Sequence, residues 1–255
     1  MNAENVPPDS DLDAVIATLN RKGGRIPRAA IRQARENRDL IVPRLIEVIR
    51  EAVVEAQSGR TPEGRAPFFA LFLLTEFRAK EALPAILEAV SLPGELPFDL
   101  FGDAITEALS RVLAALADDQ PGVVDGMIGN RRLNEFVRWK AVDTFLHFVR
   151  DERMPRQKAI RILHRHLRQA NKRSDDEIAG PLVIALERLA AEEAIDDIRQ
   201  AFYRGLVDEV TVSLKSVETR IHEGELHALA SLNLCDATGV DDTIAELETW
   251  AAFRR

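Results

Sequence analysis

Residues 68–90 read FFALFLLTEFRAKEALPAILEAV and predict a pair of helices joined by a short turn. The first helix is apolar, and the second is amphipathic and begins at Leu83 and Pro84. A similar second helix begins about 41 residues earlier at Val42 and Pro43, and such a period is typical of arrays of paired helices. The pattern predicts an all-α protein whose helix pairs stack into an α-solenoid, with Pro43 and Pro84 at equivalent stacking positions.

The composition supports a helical protein with a sizeable core. The chain has 255 residues, of which 46% are hydrophobic and only one is Tyr, so its core fits one or two domains. Frequent Ala, Leu, Glu and Arg favour helices, and runs of strand-forming residues are few. The longest apolar run, residues 66–74, has nine residues, less than half of what a bilayer crossing needs. We therefore expect a cytoplasmic protein that does not enter a membrane.

Apolar spacing and stop signals divide the chain into helices, with no Pro-rich or Ser-rich linker between them. We expect residues 1–10 to form a flexible tail and residues 11–255 to form a single solenoid domain of about six helix pairs. The predicted helices cover residues 11–21, 27–36, 40–57, 68–77, 82–91, 99–117, 121–128, 133–149, 155–171, 176–191, 195–207, 212–221, 225–235 and 241–253.

Four pairs of adjacent aspartates suggest a metal site at first, because paired carboxylates suit hard cations. Each pair, however, lies at the predicted start of a helix, where a carboxylate caps backbone N–H groups and suits the helix dipole. We therefore expect helix capping, no metal site and no cofactor. The pairs are Asp118 with Asp119, Asp175 with Asp176, Asp196 with Asp197, and Asp241 with Asp242.

Residues 134–142 read NEFVRWKAV and are followed by Phe145 and Leu146. This segment resembles the first helix of a HEAT repeat and contains its Val-Arg-x-x-Ala core, although Asn134 stands where the family usually has Asp. The resemblance implies a right-handed α-α superhelix in which Arg138 holds the stack together by pairing with an acidic or amide side chain of the neighbouring repeat. The helical wheel supports this role, because Arg138 lies in the middle of an apolar face and a buried charge must find a partner.

Three further segments resemble an uncharacterised bacterial HEAT-like family that is described only as a domain of unknown function. They are IPRAAI at residues 26–31, LIVPRL at residues 40–45 and AFYRGLVD at residues 201–208. Members of that family often carry a cysteine-rich zinc-binding SEC-C tail. This chain ends in WAAFRR at residues 250–255 without such cysteines, so we do not expect zinc here.

Charge is distributed unevenly along the chain, whose formal net charge is −8. Residues 131–173 contain 13 Lys and Arg against 4 Asp and Glu, whereas residues 174–255 contain 7 against 18. Within the basic part, five cations recur at helical intervals and form one stripe, opposite the apolar Ile160, Leu163 and Leu167. The stripe consists of Lys158, Arg161, Arg165, Arg168 and Lys172.

The stripe admits several interpretations. It is either a solvated face that neutralises acidic regions, a site for an acidic protein partner, or a site for nucleic acid. Because stacked repeats provide extended surfaces and no enclosed reaction chamber, the sequence favours a non-catalytic protein-interaction scaffold. We expect its partner to be an unidentified, possibly acidic, protein.

The alternative function is a nucleic-acid-binding HEAT-like protein, possibly an alkyl-base DNA glycosylase. Certain HEAT-like proteins of that kind carry Trp and Asp four positions apart on one helix, and Trp139 and Asp143 have this spacing. No other catalytic constellation is evident: His222 and His227 are five positions apart, which does not fit a zinc-protease helix. His147 is expected on the exposed polar side of the same helix as Trp139.

Overall fold

The protein is described here by a computed structural model that covers residues 9–60, 63–234 and 239–254. Every regular element within these ranges is a helix, and no strand occurs in them, so the all-α prediction is confirmed. The chain forms two compact units: unit 1 contains residues up to Ile105 together with those from Gly239 onward, and unit 2 contains Thr106–Thr238. Most of the predicted tail lies outside the described residues, and the first helix begins at Asp9.

Unit 1 is built around a helix that has no polar face. Helix α4 contains the segment APFFALFLLT, and every residue from Ala66 to Thr75 is buried. Such a helix needs apolar neighbours on all sides, which α1, α3, α6 and α16 provide. The helices of unit 1 are α1 (Asp9–Leu19), α2 (Arg28–Glu36), α3 (Arg38–Gln57), α4 (Ala66–Glu76), α5 (Leu83–Val90), α6 (Leu96–Phe101) and α16 (Thr243–Glu248), and the short helix α7 (Ala104–Glu107) contains the boundary with unit 2.

Unit 2 consists of helices in two layers. One row is formed by α8, α10, α12 and α14, each packing on the next, while α11 packs on α13 in a second layer. Helix α15 packs against α10, α12 and α14. The helices of unit 2 are α8 (Leu109–Leu116), α9 (Pro121–Ile128), α10 (Glu135–Arg150), α11 (Arg156–Arg173), α12 (Asp176–Arg188), α13 (Ile195–Tyr203), α14 (Leu214–His222) and α15 (Gly224–Leu234).

One helix connection in unit 1 and one in unit 2 combine a left-handed residue with a following 3-10 turn. After α4 and after α12 the chain enters the left-handed region, at Arg78 (φ 50°) and at Ala190 (φ 48°). The next amide then donates back to the preceding helix, with N to O distances of 3.0 Å in both cases, as in a Schellman motif. A three-residue 3-10 turn follows each time and leads into α5 or α13. This repetition arises without glycine at the left-handed position, where a side chain is unfavourable.

The structure corrects three details of the predicted helices. The segment 99–117 is not one helix, because Gly102 adopts φ 54° and ψ −142°, which no helix contains, and Ala108 adopts φ −129°; three short helices result. The predicted helix over 241–253 is the six-residue α16 followed by a 3-10 turn at Ala251–Phe253. Pro43 lies inside α3, whereas Pro84 lies in the first turn of α5, so the two prolines do not occupy the same helical position.

Candidate functional site

Helix α11 carries the basic stripe on a fully accessible face. Its buried side consists of Ala159, Ile160, Leu163, Leu167 and Ala170, together with two polar residues discussed below. The helix ends at Ser174, which is left-handed with φ 52°. The sequence therefore places the cations outward because the apolar residues of the same helix face the core. All five cations of the stripe are exposed.

Four cations of the stripe have no carboxylate partner within the described part of the chain. These are Lys158, Arg161, Arg168 and Lys172, whose side chains make no ion pair or hydrogen bond with residues 9–60, 63–234 and 239–254. Lys158 and Lys172 are separated by 14 positions, which corresponds to about 21 Å along a helix axis. These four residues thus form a line of uncompensated positive charge, which we call the α11 face.

Arg165, the fifth cation, is held by a carboxylate of α9. Its guanidinium lies 2.6 Å from both carboxylate oxygens of Asp125, and the Nε2 of His166 lies 2.6 Å from the same carboxylate. Burial alone would raise the pKa of Asp125, but the hydrogen bonds from His166 and Arg165 outweigh it and hold that pKa below its ordinary value. Burial also lowers the pKa of His166, partly offset by Asp125. Arg165 therefore attaches α9 to α11, and no local sequence pattern indicates the role of Asp125.

Carboxylates of α13 flank the α11 face on its other side. The Nε2 of His164 lies 2.6 Å from Asp197, and the buried amide of Asn171 donates to the main-chain oxygen of Asp197 at 2.8 Å. Asp196, the neighbour of Asp197, has a side chain that is 94% exposed and pairs with Arg199 at 3.3 Å. The positive line is therefore bordered by negative charge, which matters for the kind of ligand that can approach it.

Arg138 is a fully buried cation that connects α10 to the start of α12. Its residue is 1% exposed, and its guanidinium lies 2.8 Å from Asp175 and 2.9 Å from Glu177. Its Nε also donates to the carbonyl oxygen of Ile128 at 3.2 Å. Asp175 itself is 4% exposed, and Arg131 approaches it to 3.6 Å. The geometry places an acidic partner on the next helix of the row beside Arg138, as a buried charge requires.

The aspartate pairs behave differently from one another. Asp242 caps α16, because its side chain accepts from the backbone amides of Ile244 at 2.8 Å and Ala245 at 3.0 Å. Asp175 stands at the start of α12 but makes no capping hydrogen bond, since its carboxylate is committed to Arg138. Asp197 likewise pairs with a side chain in the first turn of α13. The expectation of capping is therefore wrong for these two pairs, because tertiary cations compete for the carboxylates.

Trp139 and Asp143 lie on α10 as their spacing requires, and each has a partner of its own. The indole N–H of Trp139 donates to the main-chain oxygen of Glu177, and the ring contacts Phe136 with centroids 4.8 Å apart. Asp143 pairs with Lys140 at 3.0 Å. Trp139 thus fixes α10 to α12 in this structure, beside the Arg138 cluster.

His147 is partly buried, so the expectation that it is exposed is wrong. Its Nε2 lies 3.1 Å from the hydroxyl of Ser110 on α8. Burial lowers the pKa of His147 to about 3, and the nearby guanidinium groups of Arg150, Arg111 and Arg188 act in the same direction. The imidazole is therefore neutral at pH 7. This environment is tertiary, since it comes from α8, α10 and α12, and no local sequence pattern indicates it.

Within the described ranges, no three His, Cys, Asp or Glu side chains come together in a way that could hold a metal ion. None of the described helices combines the length and the apolar character that crossing a membrane requires.

The sequence profile of the family "Protein of unknown function (DUF1186)" matches residues 10–254, so this chain belongs to that family. Two relatives, each named "Uncharacterized protein", come from Chlamydia muridarum and Chlamydia trachomatis serovar D. Each is 28% identical over 241 residues, covering 94% of this chain and 96% of the relative. No solved structure matches the chain significantly. The prediction of an uncharacterised bacterial family is confirmed, and the family description names no activity.

Proposed function

We propose that this protein is a non-catalytic scaffold, built as a HEAT-like α-solenoid, whose α11 face binds an acidic segment of a protein partner. The observation that carries the proposal is the line of four exposed and uncompensated cations on one helix. A solenoid provides such a surface because each added helix pair extends it without closing a pocket.

The packing within unit 2 supports a solenoid. Its helices α8, α10, α12 and α14 form one row, and α11 and α13 form a second layer, which is the arrangement of stacked helix pairs. Neighbouring members of the row are joined by buried polar contacts such as that of Arg138 with Asp175. The connection after α12 repeats the one after α4, which supports a common repeat unit in the two parts of the chain.

The α11 face is suited to a moderate and salt-sensitive interaction. An exposed ion pair contributes about 0.2–1 kcal/mol, so four pairs contribute roughly 1–4 kcal/mol in total. Such pairs also raise the rate of association with an oppositely charged partner. Physiological salt screens exposed charges beyond about 8 Å, so the partner must contact the helix directly.

The surrounding charges favour an acidic polypeptide over nucleic acid. A phosphate backbone carries a negative charge at every nucleotide and would approach Asp196 and Asp197 of α13 as it followed the α11 face. A helical or extended acidic peptide places carboxylates only where the cations lie and presents neutral or basic groups to α13. The net charge of −8 also disfavours non-specific attachment to nucleic acid.

The test compares a charge reversal on α11 with an equal reversal elsewhere. The stripe variant is Arg161→Glu/Arg168→Glu/Lys172→Glu. The control reverses three exposed cations of unit 1 that make no ion pair within the described part of the chain. The ligands are a glutamate-rich peptide and a single-stranded and a duplex oligonucleotide, each titrated at several salt concentrations. The control variant is Arg21→Glu/Arg25→Glu/Arg32→Glu.

We expect the wild-type chain to bind the peptide, and the stripe variant to bind it at least about tenfold more weakly. The control variant should bind like the wild type, because the change in net charge is the same in both triples. Equal loss in both variants would show that only net charge matters and would refute the site. Tighter binding of an oligonucleotide than of the peptide would refute the protein partner and indicate that the α11 face binds nucleic acid.

A further inference from the structure

The last described segment of the chain, Gly239–Arg254, is part of unit 1 and packs on its first helices. Helix α16 contacts α2 and α4, and the residues on either side of α16 extend the contact. Val240, Thr243, Ile244 and Leu247 are buried against unit 1. We call residues 239–254 the C-terminal segment and the surface of α2 and α4 beneath it the α2–α4 groove. The segment lies over α4, the helix that has no polar face of its own.

The N-terminal end of the segment is recognised by polar groups. Arg35 of α2 lies 2.6 Å from Glu76 of α4 and 2.7 Å from Asp242 of the segment. Glu76 also accepts a hydrogen bond from the backbone amide of Thr243 at 2.7 Å. The groove therefore binds a helix N-terminus whose capping residue carries a carboxylate. Arg35 pairs with that carboxylate, and Glu76 accepts a hydrogen bond from a free backbone amide at the start of the helix.

The other end of the segment is held by aromatic rings. Trp250 makes edge contacts with Phe68 and Phe72 of α4, with centroids 5.8 and 5.4 Å apart. Phe253 lies 6.1 Å from Phe68, and the guanidinium of Arg65 lies 4.6 Å from the centre of the Phe253 ring. Aromatic anchors of this kind commonly dominate recognition at interfaces, and here they stand 8 and 11 positions after Asp242.

Charge complementarity runs along the whole groove. Arg28 pairs with Glu248, Arg35 with Asp242, and Arg78 with Asp241 at 3.0 Å. In each pair the cation belongs to the body of unit 1 and the carboxylate to the segment. Apart from the carboxylate of Glu76, the groove therefore presents cations and an aromatic end, and its ligand is an acidic short helix that carries two aromatic residues.

The segment has the properties of a contact that opens locally. Its helix has only six residues, and the pairs Arg28–Glu248 and Arg78–Asp241 have side chains between 46% and 70% accessible, whereas Arg35 is 29% accessible. Exposed pairs of this kind contribute little to stability, so the segment is held mainly by its four buried residues and two aromatic rings. A six-residue element of this kind opens at a lower free energy than the long core helices. Opening would uncover the rings of Phe68 and Phe72. Because exposed apolar surface of this kind favours binding, another peptide would occupy the groove in place of the C-terminal segment.

We propose that the α2–α4 groove is a peptide-binding site that the chain's own C-terminal segment occupies, and that a partner presenting a similar acidic helix displaces it. The required pattern is a carboxylate at the helix N-cap and aromatic residues 8 and 11 positions later. This site lies in unit 1 and is independent of the α11 face, so the failure of either proposal leaves the other standing.

The test uses the full chain and a labelled synthetic peptide of residues 239–255. In the variant Trp250→Ala/Phe253→Ala the internal segment is weakened, while the groove itself is unchanged. Fluorescence anisotropy should show that this variant binds the peptide at least about tenfold more tightly than the wild type does, because a tethered segment competes at an effective concentration near the millimolar range. A control peptide with both aromatic residues replaced by Ala should not bind.

Three results would overturn the proposal. The first is absence of peptide binding by the variant while its circular dichroism shows intact helices. The second comes from amide hydrogen exchange on the wild-type chain, which remains informative if the variant does not fold. If residues 243–248 exchange only together with helix α3, the segment never opens alone. A wild-type dimer formed by exchanged segments would assign the groove to a second copy and overturn its assignment to a partner.

Discussion

Replacement of the buried Arg138 tests how the helices of unit 2 are held together. In the variant Arg138→Met the carboxylate of Asp175, only 4% exposed, loses the guanidinium at 2.8 Å. Removing one member of a buried ion pair costs about 3–5 kcal/mol. Arg131 lies 3.6 Å from the same carboxylate and remains, so we expect a loss near the lower limit, about 3 kcal/mol.

The assay is thermal and urea unfolding followed by circular dichroism. A loss of about 3 kcal/mol corresponds to a decrease of roughly 6–12 °C in melting temperature for a chain of this size. The matched control is Arg161→Met on the exposed face of α11, which should change stability by less than about 0.5 kcal/mol. The double variant Arg138→Met/Asp175→Leu should lose less than the sum of the two single changes, because neither buried charge is left alone.

A change below about 1 kcal/mol for Arg138→Met would refute this reasoning. Additive losses in the double variant would do the same, because they would mean that the two side chains do not interact in solution.

Three further changes have defined outcomes. Asp242→Ala should lower the free energy of unfolding by about 1 kcal/mol because the helix cap is lost, whereas Asp241→Ala should lower it by less than about 0.5 kcal/mol. Urea unfolding measures both changes, and equal losses would refute the cap. The hydrogen bond from the Ala245 amide holds the pKa of Asp242 below 3.8, so its contribution is present above that pH and is lost as pH falls through the lower folded value. In a Trp139→Phe background, Trp250 fluorescence should therefore change only in acid. Ala190→Gly should raise stability by up to about 1 kcal/mol, because φ is 48° there; a lower melting temperature would contradict this.

Much of the fold is readable from local sequence because helix periodicity and stop signals are local. The predicted helix 40–57 corresponds to α3 at Arg38–Gln57, and 121–128 corresponds to α9 at Pro121–Ile128. The break within 99–117 is not in the predicted helices, although a glycine inside a helical pattern is a local signal of a break and Gly102 has φ 54°. Propensity alone favours a continuous helix over that segment.

The placement of the C-terminal segment was missed for a different reason. Its contacts with α4 join residues more than 160 positions apart, as between Glu76 and Thr243, and no periodicity reports such pairing. One signal was present: the run APFFALFLLT has no polar face, so its helix required a cover that the adjacent helices did not fully supply. Asp125 was missed in the same way, because its pairing with Arg165 joins two helices.

The stripe itself was predictable because helical spacing fixes which residues share a face. The sequence could not show that Arg165 is engaged and that Lys158, Arg161, Arg168 and Lys172 have no partner in the described chain. That distinction depends on carboxylates of other helices. The candidate surface for a partner therefore contains four cations, not five.

The α11 face should contact an acidic protein segment in the living cell, and crosslinking tests this contact most directly. A photoreactive benzoylphenylalanine at position 168, expressed in the native host, should crosslink to an acidic segment of a protein. The crosslink should disappear when Arg161 and Lys172 are reversed to Glu, and the same probe at Arg32 should not form it. Adducts with nucleic acid, or a pattern of protein adducts identical at positions 168 and 32, would contradict the proposal that this helix binds an acidic protein partner.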